Sequence, residues 1–162
     1  MKEPYHSTSR VILMCGTAGS GKSTYAQMLE QQGFVRLSYD VESFNKGYKI
    51  HPLPTDVYDE IKTSLDLKLK ILIKKNKDVV LDYSFWSRKM RDEYKNMLLP
   101  FGVKPEIIVI VTPKEIVLQR IHDRKGKNPN DIILDEQTAA HYYENFQPPT
   151  LDEGEVTFIN GY

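Results

Sequence analysis

The chain has 162 residues, with 22 Lys plus Arg against 22 Asp plus Glu and a single cysteine, which suits one domain burying about 70% of its unfolded surface. Balanced charge argues against a general nucleic-acid coat, which carries a basic excess, and the lone Cys15 excludes an internal disulfide and fits a reducing compartment. No apolar run approaches a membrane span and Met1-Lys2-Glu3-Pro4 lacks a signal-peptide core, so a cytoplasmic protein is expected.

Arg10 to Met14, with its apolar run Val11-Ile12-Leu13-Met14, predicts a buried strand. Directly after it, Gly16-Thr17-Ala18-Gly19-Ser20-Gly21-Lys22-Ser23 spells G-x-x-x-x-G-K-S. In that pattern glycines let consecutive backbone N–H groups turn toward a phosphate. The lysine adds a mobile cation, and the serine hydroxyl can ligate Mg²⁺. A helix predicted over Ser23 to Gln32, stopped at Gly33, aims its positive end at the same phosphates. Gly16, Thr17, Ala18, Gly19, Ser20, Gly21, Lys22, Ser23 and Thr24 are therefore the expected nucleotide site. Cys15, beside this loop, reads as a small buried thiol closing the strand.

Phe34 to Ser38 predicts a second, short strand ending at Tyr39-Asp40, and a polar loop with Pro52 and Pro54 follows. Thr55 caps a long helix with apolar Val57, Ile61, Leu65, Leu69, Leu72 and Ile73. Val79-Val80-Leu81 is a third strand closing on Asp82, and Ser87 to Leu99 a helix stopped by Pro100 and Gly102. Ile107 to Val111 reads as a buried strand, and Pro113 opens a helix running to about Arg124. Gly126 to Asp131 is a polar break, Asp135 to Phe146 a helix, and Val156 to Ile159 a last strand. Such alternation specifies an α/β sandwich around five parallel strands, one domain over residues 1–162.

A phosphate loop alone does not separate a GTPase, a motor ATPase and a kinase. Ligands of open α/β sheets bind at the carboxyl ends of the strands, where Asp40 and Asp82 stand. A carboxylate there can accept the proton of an attacking hydroxyl, or hold Mg²⁺ through water. Asp40 takes the base role; Asp82, with Ser23, takes the metal side or orients the acceptor. Arg120 and Arg124 are one helical turn apart and share a predicted face. There they would stabilise charge on a transferring phosphoryl group beside Lys22. Lys125 to Asn130 reads as a mobile flap, with the lid taken as roughly residues 120–135.

Other patterns carry less. Asp123-Arg124-Lys125-Gly126 ends a helix instead of leaving a strand, and Asn76-Lys77-Asp78 lacks guanine-reading spacing, so ATP is preferred over GTP. His6, His51, His122 and His141 show no metal-ligand spacing and read as surface or packing residues. The tyrosines and Trp86 read as core or pocket wall.

From Val11 to about Asn160 the chain resembles the AAA-like P-loop kinase family, relatives of the phage polynucleotide kinase domain, chloramphenicol phosphotransferase and zeta toxin. The anchors are Gly16 to Ser23, Leu37-Ser38-Tyr39-Asp40, Val80-Leu81-Asp82 with Arg88 and Arg91, Arg120 with Arg124, and Phe146-Gln147-Pro148-Pro149. The resemblance implies the strand order 2-3-1-4-5, Asp40 as general base and arginines supplied by a small lid. Polynucleotide kinases place a basic residue shortly after that aspartate. Here Val41-Glu42-Ser43-Phe44-Asn45-Lys46 is acidic first. A small molecule carrying a hydroxyl is therefore expected as acceptor, ahead of a nucleic-acid 5′ end. Asp40 would face its hydroxyl, and Arg88 and Arg91 are the candidates to hold an anionic group on it. Two alternatives stay open: an ATP-binding switch without transfer, and a polynucleotide 5′-hydroxyl kinase.

Overall fold

The computed structural model describes residues 6–162; the reading of Met1 to Pro4 lies outside the described residues. Five strands form one parallel sheet in the order β2-β3-β1-β4-β5: β1 Val11–Cys15, β2 Val35–Leu37, β3 Val79–Leu81, β4 Glu106–Val111 and β5 Glu155–Asn160. Every residue of β1 is buried, because the strand is central and covered on both faces, which is why it reads as an unbroken apolar run.

Strand alternation sorts its residues into two cores. Val11, Leu13 and Cys15 pack with Ile61, Leu65, Leu69 and Ile73 of helix α3 (Thr55–Lys74) and Tyr94 and Leu98 of α4 (Arg88–Leu98). Ile12 and Met14 face Ala26 and Leu29 of α1 (Lys22–Gln31), with Val80 and Ile110. A smaller cluster, Val117, Ile121, Leu134 and Ala139, joins α5 (Lys114–His122) to α6 (Glu136–Glu144). Full burial of a Leu or Ile contributes roughly 1.5–3 kcal/mol, so these rows dominate the fold's stability. Among the described residues no helix is long and apolar enough to cross a membrane.

Two local expectations are corrected. Helix α2, Tyr39–Asn45, stands where a loop is expected, so β2 stops at Leu37 and Asp40 lies in a helical first turn. The Ser38 hydroxyl accepts from the Val41 N–H at 3.3 Å, and Asp40 and Glu42 meet the positive helix end. Helix α5 ends at His122 with Asp123 as its cap, so Arg124 is not on the helical face of Arg120. The Asp131 carboxylate draws the chain out of the helix by accepting the N–H groups of Lys125 and Lys127 at 3.1 and 3.0 Å. Gly126 turns there in the left-handed region, φ +72°, where a glycine carries no steric penalty.

Candidate active site

The turn between β1 and α1 is held from several sides. Gly19 and Gly21 take φ +81° and +99°, conformations that side chains resist. The Gly16 N–H donates to the Ser84 carbonyl at 3.0 Å. The Thr112 hydroxyl donates to the Ser20 carbonyl at 2.6 Å, and Arg120 donates to the carbonyls of Gly19 at 3.0 Å and Gly161 at 2.7 Å. The chain leaving β5 presses so closely that a Cβ on Gly161 would collide with the Ser20 carbonyl oxygen. The buried Ser20 hydroxyl has no hydrogen-bond partner. Such an orphan fits a site that a phosphate oxygen completes.

Asp82, immediately after β3, has a fully buried side chain. Lys22 Nζ lies 3.4 Å from its Oδ1, and Arg36 donates to its Oδ2 through Nε at 2.9 Å and an Nη at 2.7 Å. Burial by itself pushes the carboxyl up, but the neighbouring Lys22 and Arg36 charges, with hydrogen bonds from Arg36 and Ser23, hold it below its ordinary value. Two cations against one carboxylate leave a net positive charge beside the glycine loop, which favours an anion there. No cluster of three or more His, Cys, Asp or Glu able to hold a metal exists among the described residues. The Ser23 hydroxyl and Asp82 carboxylate nonetheless fit Mg²⁺, which takes few protein ligands and keeps water and phosphate oxygens.

The loop's mouth opens into a cavity of about 1240 Å³, lined by Lys22, Ser23, Asp40, Asp82, Arg120 and Arg124 among others. Asp40 Oδ1 lies 3.8 Å from His51 Nδ1, and His51 Nε2 lies 3.2 Å from the Ser43 hydroxyl. Burial lowers the His51 pKa, opposed by the Asp40 charge and assisted by Arg124. The net direction favours the neutral imidazole. The Arg124 guanidinium donates to the Ile132 carbonyl at 3.2 Å; burial lowers its pKa while Asp40 and Asp131 pull it up. His51 donates its backbone N–H to Ile133, and Ile133 to Lys49, each at 2.8 Å. The loop after α2 and the lid (residues 120–135) are thus stitched together at Ile133.

The predicted residues therefore divide. Thr17, Ala18, Gly19, Gly21, Lys22, Ser23 and Thr24 share one cavity with Asp40, Asp82, Arg120 and Arg124, although the two arginines reach it from different elements; Gly16 and Ser20 lie behind its wall. Arg88 and Arg91 do not line it. Arg88 is exposed and donates to Asp152 at 3.0 Å. Arg91 is 1% exposed, bonds Glu153 at 2.7 Å and donates to the Phe85 carbonyl at 2.8 Å. Their expected hold on an acceptor is corrected by these partners, which no local pattern around the two arginines discloses. Two residues go unassigned in the sequence reading. His51 is one, given only as a surface or packing residue and found in the cavity wall 3.8 Å from Asp40. Arg36 is the other, and its signal was a charged residue between Val35 and Leu37 in a strand.

Comparison with known proteins bears on the family and the fold. The family model described as AAA domain matches residues 11–149. A provisionally assigned kinase from Chloroflexus aurantiacus superposes with a TM-score of 0.74 at 18% identity, over 95% of this chain and 89% of that one. The Mycobacterium tuberculosis APS kinase CysC, solved with AMPPNP and APS, gives 0.61 at 14% identity, over 95% and 89%. A chain of the Pnkp1/Rnl/Hen1 RNA repair complex gives 0.71 at 16% identity, with 90% of this chain covered but only 46% of that chain. At these identities the likeness is one of fold, that of P-loop kinases. No curated protein gives a significant match to the sequence.

Proposed function

The chain belongs to the AAA domain family and has a P-loop kinase fold, and from that premise we propose that it is an ATP-dependent phosphotransferase acting on the hydroxyl of a small molecule. One observation carries the reading: the glycine loop and the Asp40 carboxylate line the same cavity, which is large enough for a nucleotide and a second molecule.

In the proposed reaction the acceptor O–H sits against Asp40, which takes its proton as the oxygen attacks the γ-phosphorus of ATP. A new O–P bond forms, the bond from the γ-phosphorus to the β,γ-bridging oxygen breaks, and ADP leaves with the bond's electrons. Lys22 and Arg124 stabilise the negative charge spread over the transferring oxygens. Arg120 keeps the loop in shape through the Gly19 carbonyl and adds its positive charge from the same side. Mg²⁺, held by the Ser23 hydroxyl and through water by Asp82, supplies further charge neutralisation when bound. The flap joined to His51 excludes water, so that the acceptor hydroxyl and not solvent is the nucleophile.

The AMPPNP in the APS kinase supports a nucleotide in this loop. A cytoplasmic setting belongs to the same proposal. The test is incubation with γ-labelled ATP and a panel of metabolites, nucleosides and oligonucleotides. A labelled small molecule is expected; saturable ATP binding with no labelled product would replace the kinase by a nucleotide-dependent switch. A labelled oligonucleotide would make it a polynucleotide kinase.

A further inference from the structure

Strand β2 carries one charged residue between two apolar ones. Val35 and Leu37 turn toward the core shared with α3 and α4, so strand alternation sends Arg36 to the other face. Its side chain is 7% exposed, a costly place for a cation without a partner. That partner is Asp82, whose Oδ2 accepts from Arg36 Nε at 2.9 Å and from Nη2 at 2.7 Å. The same Nη2 donates to the Asn130 side-chain oxygen, in the lid, at 3.3 Å. Arg36 does not line the cavity, whereas Lys22, Asp82 and Asn130 do. The guanidinium therefore stands behind the carboxylate as seen from the phosphate loop.

Asp82 also holds two groups of the phosphate loop. Lys22 Nζ lies 3.4 Å from its Oδ1, and the Ser23 hydroxyl bonds to it. Among the described residues its ion pairs are with Lys22 and Arg36 alone. A phosphate in the loop draws the lysine toward its own oxygens. The Asp82 side chain is 0% exposed, so bulk water does not replace the lost contact, and a buried charge left bare is expensive. The contact lengths divide the labour. The short, two-point contact belongs to the arginine, whose planar fork is rigid. The long, single one belongs to the lysine, a compact charge on a flexible stem. Arg36 is the partner that stays, and Lys22 is the one free to leave.

We propose that Arg36 is a positioning residue for the nucleotide: by neutralising Asp82 from behind, it releases Lys22 to a phosphate and keeps the buried carboxylate paired once the lysine has moved. This rests on the nucleotide half of the reading above and not on the transfer step. A cation near the loop could also favour an anion by direct attraction, and the two effects are separable. Direct attraction persists whatever side chain stands at position 82. An effect exerted through Asp82 disappears with that carboxylate's charge, so the two substitutions are coupled and not additive.

The experiment is calorimetry with ATP in EDTA, so that no metal bridges Asp82, on the full chain, Arg36→Met, Asp82→Asn and the double variant. With Asp82 in place, Arg36→Met is expected to weaken ATP binding about tenfold, because Lys22 becomes the only cation on the carboxylate. In the Asp82→Asn background the same substitution is expected to cost less than about threefold. Arg36→Lys, which keeps the charge and loses the fork, falls between the native chain and Arg36→Met. Equal losses in both backgrounds make Arg36 a direct attractor of phosphate and overturn the proposal. So does a lowered urea midpoint with ATP affinity unchanged, which makes Arg36 a strut of the fold. If Arg36→Met does not fold, Arg36→Lys against the native chain, and the double variant against Asp82→Asn, give the same comparison without a bare buried carboxylate. The expected coupling with no labelled product from γ-labelled ATP sustains Arg36 and removes the phosphotransfer reading; no ATP binding by the native chain removes both.

Discussion

The two ends of the cavity are held by opposite means. At the phosphate end, charged groups and backbone carbonyls are cross-linked: Asp82 to Lys22 and Arg36, Arg120 to Gly19 and Gly161, Thr112 to Ser20. Elsewhere the lining includes the rings of Tyr39, Tyr58, Tyr83 and Trp86. On the proposed function the difference follows from the ligands. A triphosphate presents the same charge to every protein that binds it, so a preorganised cradle answers it. An individual acceptor is told apart by shape, stacking and a few polar contacts.

Asp40 joins the two ends, so its replacement tests the comparison hardest. Asp40→Asn is expected to lower transfer by about 10²–10⁴-fold while leaving Mg·ATP affinity, measured by calorimetry, within about twofold. Turnover at the native rate would place the base elsewhere. Next comes Arg91, which supports the acceptor wall without touching the cavity. Arg91→Met leaves the buried Glu153 without its closest cation, with Arg88 3.9 Å away and the Thr150 N–H still donating to it, and urea unfolding should show a loss of about 3 kcal/mol. A variant with native stability but weakened binding of an anionic acceptor would restore Arg91 to the site.

Gly161 probes the phosphate end alone. Gly161→Ala pushes a methyl against the Ser20 carbonyl oxygen and the Thr112 hydroxyl, and overpacking of this kind costs about 1–3 kcal/mol. ATP affinity, measured by calorimetry, is expected to fall about tenfold.

The smallest effect concerns Cys15, beneath both ends. Burial pushes its thiol up to about 12, against the Arg91 charge that lowers it. The native state thus holds the protonated form more tightly than the unfolded chain, whose thiol titrates near 8.5. Its contribution to stability is complete below about pH 8.5 and is lost as pH rises from there towards about 12. At pH 8 a thiol reagent should label the folded protein far more slowly than the protein in urea. Equal rates would place Cys15 in an open environment.

Much of this was legible before any coordinates. The glycine loop is readable because eight contiguous residues do one job, and the alternating runs give the α/β class because each strand and helix carries its own periodicity. The strand order came only through the family resemblance, since runs of apolar residues do not encode which strand lies beside which. Helix α2 was missed because seven residues among polar neighbours carry too little pattern, and its one signal was the Ser38 cap. Arg91 was given to an anionic group on the acceptor because nothing near it in sequence discloses its partner, Glu153, which lies 62 residues away. Arg36 and His51 owe their places to Asp82 and Asp40, 46 and 11 positions distant.

By itself, then, the amino-acid order determined the phosphate cradle, the layer architecture and the identity of the carboxylates at the strand ends, because each depends on neighbours within a turn or a strand. Only the folded chain decided which charges are free and which are neutralised. That outcome depends on side chains brought within 3 Å of one another from distant parts of the sequence, as Arg91 and Glu153 are at 2.7 Å.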